Sequence, residues 1–359
     1  MKTRVLIVDD SATMRALLSR MLGSEPDLEV IGTAADAQQA RVMIREMNPD
    51  VVTLDVEMPG MNGLDFLEKI MRLRPMPVVI VSGVTRKGAE TTIRALELGA
   101  VDCYAKPDGS IMNLLDHDGG ALANMVRSAA RASQWRGSGG RAAAPSPAAA
   151  AVSREAIALS AGISAGRTGV PAQLIAIGAS TGGVEALHHI LPSFPQNCPP
   201  TVIVQHISAA FAPAMADRLD KQCAVTVQLI ESGMPLLPGH VYVAPGNDRH
   251  AVVGTAGRLT ATMKPGDPVS GHRPSIDTLF ESVARSLGPA AVGILLTGMG
   301  QDGARGLLAM RQAGAHTIAQ DQATSTVYGM PRAAADMGAA EKILPLPRIA
   351  ERALAVAGL

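Results

Sequence analysis

The sequence predicts an α/β fold made of two doubly wound parallel-sheet domains, a flavodoxin-like one followed by a second α/β domain, joined by a flexible linker. Three observations carry this. Short runs of Val, Ile and Leu recur in both halves of the chain, as in VLIV at 5–8 and LIAI at 174–177. Most runs end in a polar or glycine-rich turn followed by a helical pattern, the order of βα units. Between the halves lies RGSGGRAAAPSPAAAAVSREAIALSAGISAGRTGVP, which has too little apolar side chain to fold alone.

A chain of 359 residues accommodates two or three domains. Apolar residues at 47% suffice for buried cores, and aromatics at 2% make those cores aliphatic. Lys+Arg and Asp+Glu are 32 each. The zero net charge argues against a nucleic-acid footprint, which needs a basic surface. Cys103, Cys198 and Cys223 show no C-x-x-C spacing. Such a sparse, odd set fits reduced thiols rather than a disulfide frame. The start, MKTRVLIVDD, meets two acids too early for a signal peptide. No run approaches the roughly 18–20 apolar residues that span a bilayer. A cytoplasmic protein with no membrane insertion is expected.

In the first half, Val5-Leu6-Ile7-Val8 ends in Asp9-Asp10, and Val51-Val52-Thr53-Leu54 ends in Asp55. Val78-Val79-Ile80-Val81 ends in Ser82, and a fourth strand candidate carries Lys106-Pro107. Open parallel sheets bind ligands outside the carboxyl ends of their strands, so these side chains converge on one rim. Clustered carboxylates repel unless a hard cation sits among them, and Mg²⁺ takes one or two carboxylates plus phosphate oxygens. A carboxylate beside such an ion is able to attack a phosphoryl group. Lys106 then supplies positive charge to the phosphoryl oxygens and Ser82 a hydrogen bond. A single Asp at a strand end is more often a helix cap. The ordered set of all five argues for phosphoryl chemistry.

This set resembles the receiver domain of two-component response regulators over about residues 1–120. The resemblance implies that Asp55 is phosphorylated by a histidine kinase. It also implies that Asp10, Asp55 and the Glu57 carbonyl ligate Mg²⁺, with Asp9 acting through water. Asp9, Asp10, Ser82 and Lys106 form the acidic pocket and switch. Receivers usually carry an aromatic three residues before the lysine; here that position is Cys103, and Tyr104 follows it.

Beyond the receiver, residues 119–134 form a helical pattern with Leu122, Met125, Val126 and Ala129 on one face. The expected division is 1–120, then a helix and linker over 121–170, then a second domain over 171–359. A flexible chain of the linker's length spans roughly 30 Å r.m.s., so the flanking domains are free to touch or separate.

In the second domain, Leu174–Ile177 runs into Gly178-Ala179-Ser180-Thr181-Gly182-Gly183 and a helix. Thr201–Val204 ends in Gln205-His206, and Val292–Leu296 ends in Thr297-Gly298-Met299-Gly300-Gln301-Asp302. Ser180, His206 and Asp302 therefore share a rim. A serine needs a histidine to take its proton and an acid to orient that histidine. The glycines and the helix N-terminus offer N–H groups for an oxyanion. Residues 178–182 also match the G-x-S-x-G elbow of α/β-hydrolases, whose chain order is Ser, acid, His. GASTGG resembles a dinucleotide loop too, but Val184 stands in place of its third glycine and no acid ends the next strand. The bland alternative makes these turns packing devices only. Among the histidines, His188 and His189 lie within a helix. His250 and His272 lie in loops able to border the cleft. His117, His240 and His316 have no placeable chemical neighbours. No Cys/His cluster suggests zinc.

The segments IGASTGG, TVIVQHIS, VYVAPGNDRH, GHRPSIDTLF and LLTGMGQDGARGL together resemble the catalytic domain of chemotaxis-type protein-glutamate methylesterases. A receiver followed by this domain is that family's architecture. The resemblance implies a phosphorylation-activated hydrolase with a Ser180–His206–Asp302 triad and no cofactor for the esterase. Thr181 and the Met299 backbone would bind the substrate carbonyl, and the loop from His272 to Asp277 would border the groove. Implied substrates are glutamate methyl esters, and certain glutamines, on the cytoplasmic helical bundles of chemoreceptors. It further implies that the unphosphorylated receiver covers the groove near Ser180, and that phosphorylation reshapes the face from Ser82 to Lys106. The competing reading keeps the receiver but makes the second domain a receptor-binding adaptor without catalysis.

Overall fold

A computed structural model describes residues 1–58, 63–106, 120–136, 172–255 and 257–359. The linker expected over 137–171 lies outside the described residues, as do Pro107 and His117. The first sheet holds β1 (Thr3–Val8), β2 (Leu28–Ala34), β3 (Val51–Leu54), β4 (Val78–Ser82) and β5 (Asp102–Ala105). All pairings are parallel, in the order β2-β1-β3-β4-β5, the flavodoxin-like order. Val5 to Val8 and Val51 to Leu54 are buried along their whole length, which is why they read as unbroken aliphatic runs rather than alternating ones.

The first-half helices are α1 (Ala12–Gly23), α2 (Ala37–Met47), α3 (Gly63–Leu73), α4 (Arg86–Glu97) and α5 (Ala121–Arg136). Ser11 caps α1 and Thr85 caps α4 through their side-chain oxygens. Asp9 and Asp10 are thus not spent on capping the helix that follows them. Composition alone sets α5 with the linker, but its packing sets it with the first sheet. Leu122, Val126 and Ala129 bury against Val5, Ile7 and Val79, so the first core continues well beyond residue 120.

The second parallel sheet has the order β15-β14-β13-β6-β7-β10-β8. Its strands are β6 (Leu174–Ala179), β7 (Thr201–Gln205), β8 (Thr226–Leu229), β10 (His240–Val243), β13 (Ala291–Leu295), β14 (His316–Gln320) and β15 (Lys342–Leu344). The helices around it are α6 (Gly183–Ile190), α7 (Ala212–Gln222), α8 (Ile276–Leu287), α9 (Ala304–Gln312), α10 (Met330–Asp336) and α11 (Leu346–Val356). Ile177, Ile203 and Ile294 are fully buried at its centre, each contributing about 1.5–3 kcal/mol. Strand order reverses at β6, which lies between β13 and β7. That is the switch point where such sheets place their ligands.

One feature departs from the wholly parallel expectation. The strands β9 (Met234–Pro235), β11 (Arg249–Gly254) and β12 (Thr260–Pro265) form a separate antiparallel sheet. Its apolar residues alternate, with Ala251, Val253, Ala261 and Met263 turned inward against α8 residues such as Leu279 and Val283. No helix among the described residues is long and apolar enough to cross a membrane.

Candidate functional site

Ser180 follows β6, His206 follows β7, and Asp302 lies in the loop after β13. The three adjacent strands bring together the three residues expected from sequence. The Ser180 N–H donates to Thr297 O at 3.0 Å, and its carbonyl accepts from Gln205 Nε2 at 2.8 Å. The turn that follows requires glycine: Gly182 has φ +76°, and a Cβ there would meet Thr326 at 2.4 Å. A Cβ on Gly298 would likewise stand 2.6 Å from the Ser180 Cβ. Close backbone approach around the hydroxyl is built into both loops.

His206 Nε2 lies 2.9 Å from Asp302 Oδ2. Nδ1 is buried and has no hydrogen-bond partner. A neutral ring donating from Nε2 carries its lone pair on Nδ1, so Nδ1 is the atom able to take the serine proton. The two are not hydrogen-bonded in this state, and such bonds are often loose before substrate binds. Asp302 is 1% exposed and accepts three further bonds. These come from Ser275 Oγ at 2.7 Å, Ile276 N at 2.8 Å and Asp277 N at 3.1 Å. Burial alone would raise its carboxyl, but the His206 bond and these donors together hold it below the ordinary carboxylate range.

Several residues support this site. Ser275 is the N-cap of α8 while holding Asp302. Asp277, fully buried, accepts from Gly303 N and Gly306 N at 2.9 and 2.8 Å and pairs with Arg305. It therefore ties the first turn of α9 to the loop carrying Asp302. His250, read as a loop residue, lies in β11; it accepts from Ser275 N at 3.1 Å and bonds Asp267 O at 2.9 Å. Sequence sets His250 and the loop from His272 to Asp277 at the cleft, without assigning these bonds. The His272 ring stacks on the His206 ring.

Thr181, next to Ser180 in the turn, and Met299 are both engaged by the first domain. Thr181 Oγ1 donates to Asp102 Oδ2 at 2.7 Å, and Gly182 N donates to Val101 O at 3.1 Å. Ser128 Oγ on α5 touches Met299 Sδ. Leu96, Val101, Asp102 and Cys103 face Ser180 and His206 across a cavity of about 10 Å³. That is room for a single water, not for a glutamate side chain. At the rim of this contact Arg218 makes two bonds to Glu97, at 2.8 and 2.9 Å, and His188 lies 3.4 Å from the same carboxylate.

The receiver pocket forms at the other end of β5. Carboxylate oxygens of Asp9, Asp10 and Asp55 lie within 4.8 Å of one another. Lys106 Nζ reaches Asp55 Oδ2 at 2.6 Å and Asp9 Oδ2 at 2.8 Å. Lys106 thus bridges the two buried carboxylates, while Asp10 is exposed beside them. Three converging carboxylates beside one ammonium suit a divalent cation. Burial alone would lower the Lys106 ammonium, but Asp55 and Asp9 hold it above its ordinary value. Ser82 Oγ has only a long 3.4 Å contact to Gly83 O, which leaves it available to a new acceptor. Glu57 N donates to Asp55 Oδ1 at 2.9 Å, placing Glu57 beside the cluster. Cys103, at the usual aromatic position, is buried toward the second domain, whereas Tyr104 packs with α5 residues. The second domain's contacts at Leu96, Glu97 and Val101 to Cys103 fall within the face from Ser82 to Lys106 that is expected to reshape. The second domain meets the end of α4 and the beginning of β5.

Comparison with known proteins agrees with this architecture. Residues 5–116 match the response regulator receiver domain model, and residues 175–353 match the CheB methylesterase model. A protein-glutamate methylesterase/protein-glutamine glutaminase of Caulobacter vibrioides is 52% identical, over 99% of this chain and 98% of that protein. One from Bordetella avium is 49% identical over the same shares. The crystal structure of the Thermotoga maritima CheB methylesterase catalytic domain superposes with a TM-score of 0.50 at 34% identity. It covers 52% of this chain and 100% of that one. These relatives carry an enzyme's name, which leaves the adaptor reading without support. With a receiver sheet, a Ser–His–Asp rim and relatives matched end to end, the chain belongs to the protein-glutamate methylesterase/protein-glutamine glutaminase family.

Proposed function

We propose that Ser180 is the nucleophile, His206 Nδ1 the base and Asp302 the acid that fixes the histidine tautomer. The carrying observation is the 2.9 Å bond from His206 Nε2 to Asp302, with Nδ1 left without a hydrogen-bond partner. Ser180 Oγ attacks the γ-carbonyl of a glutamate methyl ester as its proton passes to His206. Protonation of the leaving oxygen by His206 releases methanol. Water, activated by the same imidazole, then hydrolyses the acyl-enzyme to free glutamate. A glutamine γ-amide passes through the same tetrahedral oxyanion and releases ammonia. Thr181 and the Met299 backbone bind that oxyanion. The substrates are the cytoplasmic helical bundles of chemoreceptors, and the enzyme works in the cytoplasm.

The receiver regulates access. Asp55 accepts a phosphoryl group from a chemosensory histidine kinase, and Lys106 and Ser82 bind its oxygens. Mg²⁺, when bound, neutralises phosphoryl charge; Asp10, Asp55 and the Glu57 carbonyl would hold it, with Asp9 nearby. The state described here is closed, since Val101 and Asp102 occupy the place a substrate needs. Phosphorylation shifts the population toward an open one. The test is methanol release from methylated receptor bundles in the presence of a small phosphodonor. The wild-type chain should release methanol, and Ser180→Ala should not; equal rates would contradict the assignment.

A further inference from the structure

The ring of His272 lies flat on that of His206, with centroids 3.8 Å apart and planes 9° apart. Its position is tightly specified. Val269 and His272 exchange two backbone hydrogen bonds of 3.0 Å each. Between them, Ser270 at φ 53° and Gly271 at φ 80° give the two positive values of a type I′ turn. Three residues on, Ser275 donates from its N–H to His250 and from its hydroxyl to Asp302. The carboxylate that receives His206 Nε2 thus also anchors the loop that carries His272. Burial first, and then the neighbouring His206, push the His272 imidazole down to about 4, so near neutral pH it presents an uncharged aromatic face.

A single hydrogen bond at Nε2 fixes one point of the His206 ring and leaves its plane free to tilt. Tilting would displace Nδ1, the atom read above as taking the serine proton. A flat ring against one face removes that freedom. An uncharged ring also tolerates the imidazolium that forms when His206 takes the serine proton, since a ring face attracts a cation. We infer that His272 is a positioning residue that holds the plane of His206 while Asp302 holds its Nε2. This rests on the reading of Ser180, His206 and Asp302 as the reacting set.

The test compares His272→Phe, His272→Leu and His272→Ala in the full chain, with acetyl phosphate present, by methanol release from methylated receptor bundles. Phenylalanine keeps a flat face without polar atoms, and leucine keeps bulk without a flat face. Phe should retain kcat within about threefold of wild type. Leu and Ala should lose at least tenfold in kcat with KM changed less than twofold. If Ala fails to fold, the contrast between Phe and Leu decides. Phe as impaired as Leu would overturn the proposal, because the imidazole's own polar atoms would then be what matters; so would wild-type kcat in Leu or Ala. His206→Ala is assayed alongside. Activity there would overturn the underlying triad reading, and it is distinguishable from any outcome at His272.

Discussion

Thr181 Oγ1 and Asp102 Oδ2, from opposite domains, meet at 2.7 Å one residue from Ser180. The hydroxyl is the one proposed above to help bind the substrate carbonyl, and the carboxylate has the chemistry of the proposed reaction's product. Asp102 also accepts from Cys103 N at 2.9 Å. Burial raises its carboxyl above the ordinary range, opposed by the Thr181 hydroxyl, the Cys103 N–H and the charge of His206. The closed state thus gains a hydrogen bond here, worth about 0.5–1.5 kcal/mol net.

Asp102→Ala should therefore raise the unphosphorylated rate of methanol release. One tenfold gain in open enzyme corresponds to about 1.4 kcal/mol of lost closing energy, so a gain of about three- to tenfold is expected. The rate with saturating phosphodonor should change little. An unchanged unphosphorylated rate would show that Asp102 does not help close the site.

Asp302 accepts four bonds, and an amide cannot accept them all. Asp302→Asn should lower kcat by about 10³-fold or more, as loss of the orienting acid does. It should also destabilise the second domain by about 1–3 kcal/mol by leaving buried donors unpaired, a drop of several degrees in Tm. Calorimetry beside kinetics separates the two effects.

His272 gives the fold a pH dependence whose sign is fixed. Its folded pKa of about 4 lies below the unfolded value of 6.5. Between those values the unfolded chain binds a proton that the folded chain does not. Stability is therefore full above about 6.5 and declines as pH falls toward 4. The total is on the order of 3 kcal/mol. His206 and Asp302 face the same ring, so the clean quantity is a difference between proteins. His272→Phe should flatten the curve of unfolding free energy between pH 6.5 and 4 relative to wild type. Parallel curves would contradict the burial argument.

At the receiver, Asp55→Asn should abolish labelling by acetyl phosphate, because an amide cannot form the acyl phosphate. Chelating divalent cations with EDTA should suppress labelling of the wild-type chain, and added Mg²⁺ should restore it. Labelling read by intact mass decides both.

Both parallel sheets are legible in the sequence because their strands are buried on two faces and read as solid aliphatic runs. Ser180, His206 and Asp302 are legible because each follows such a run. The antiparallel strands from Arg249 and Thr260 are weaker signals, because the apolar residues that alternate in them include small ones such as Ala251 and Ala261. The affiliation of α5 is hidden because its small residues, Ala123, Ala129 and Ala132, look like linker composition. Asp102 and His272 act through partners 79 and 66 positions away in the chain, Thr181 and His206, and no local pattern signals a contact at that separation.

The central claim is that a serine esterase is held shut by its own receiver. Initial rates of methanol release from methylated receptor bundles test it most directly, comparing the fragment 168–359, the full chain, and the full chain with acetyl phosphate. The T. maritima catalytic domain has been crystallised on its own, so the fragment is a sound comparator. The fragment should be faster than the unphosphorylated chain by about tenfold or more, and the phosphodonor should recover part of that difference. A fragment no faster than the unphosphorylated full chain would contradict closure by the receiver.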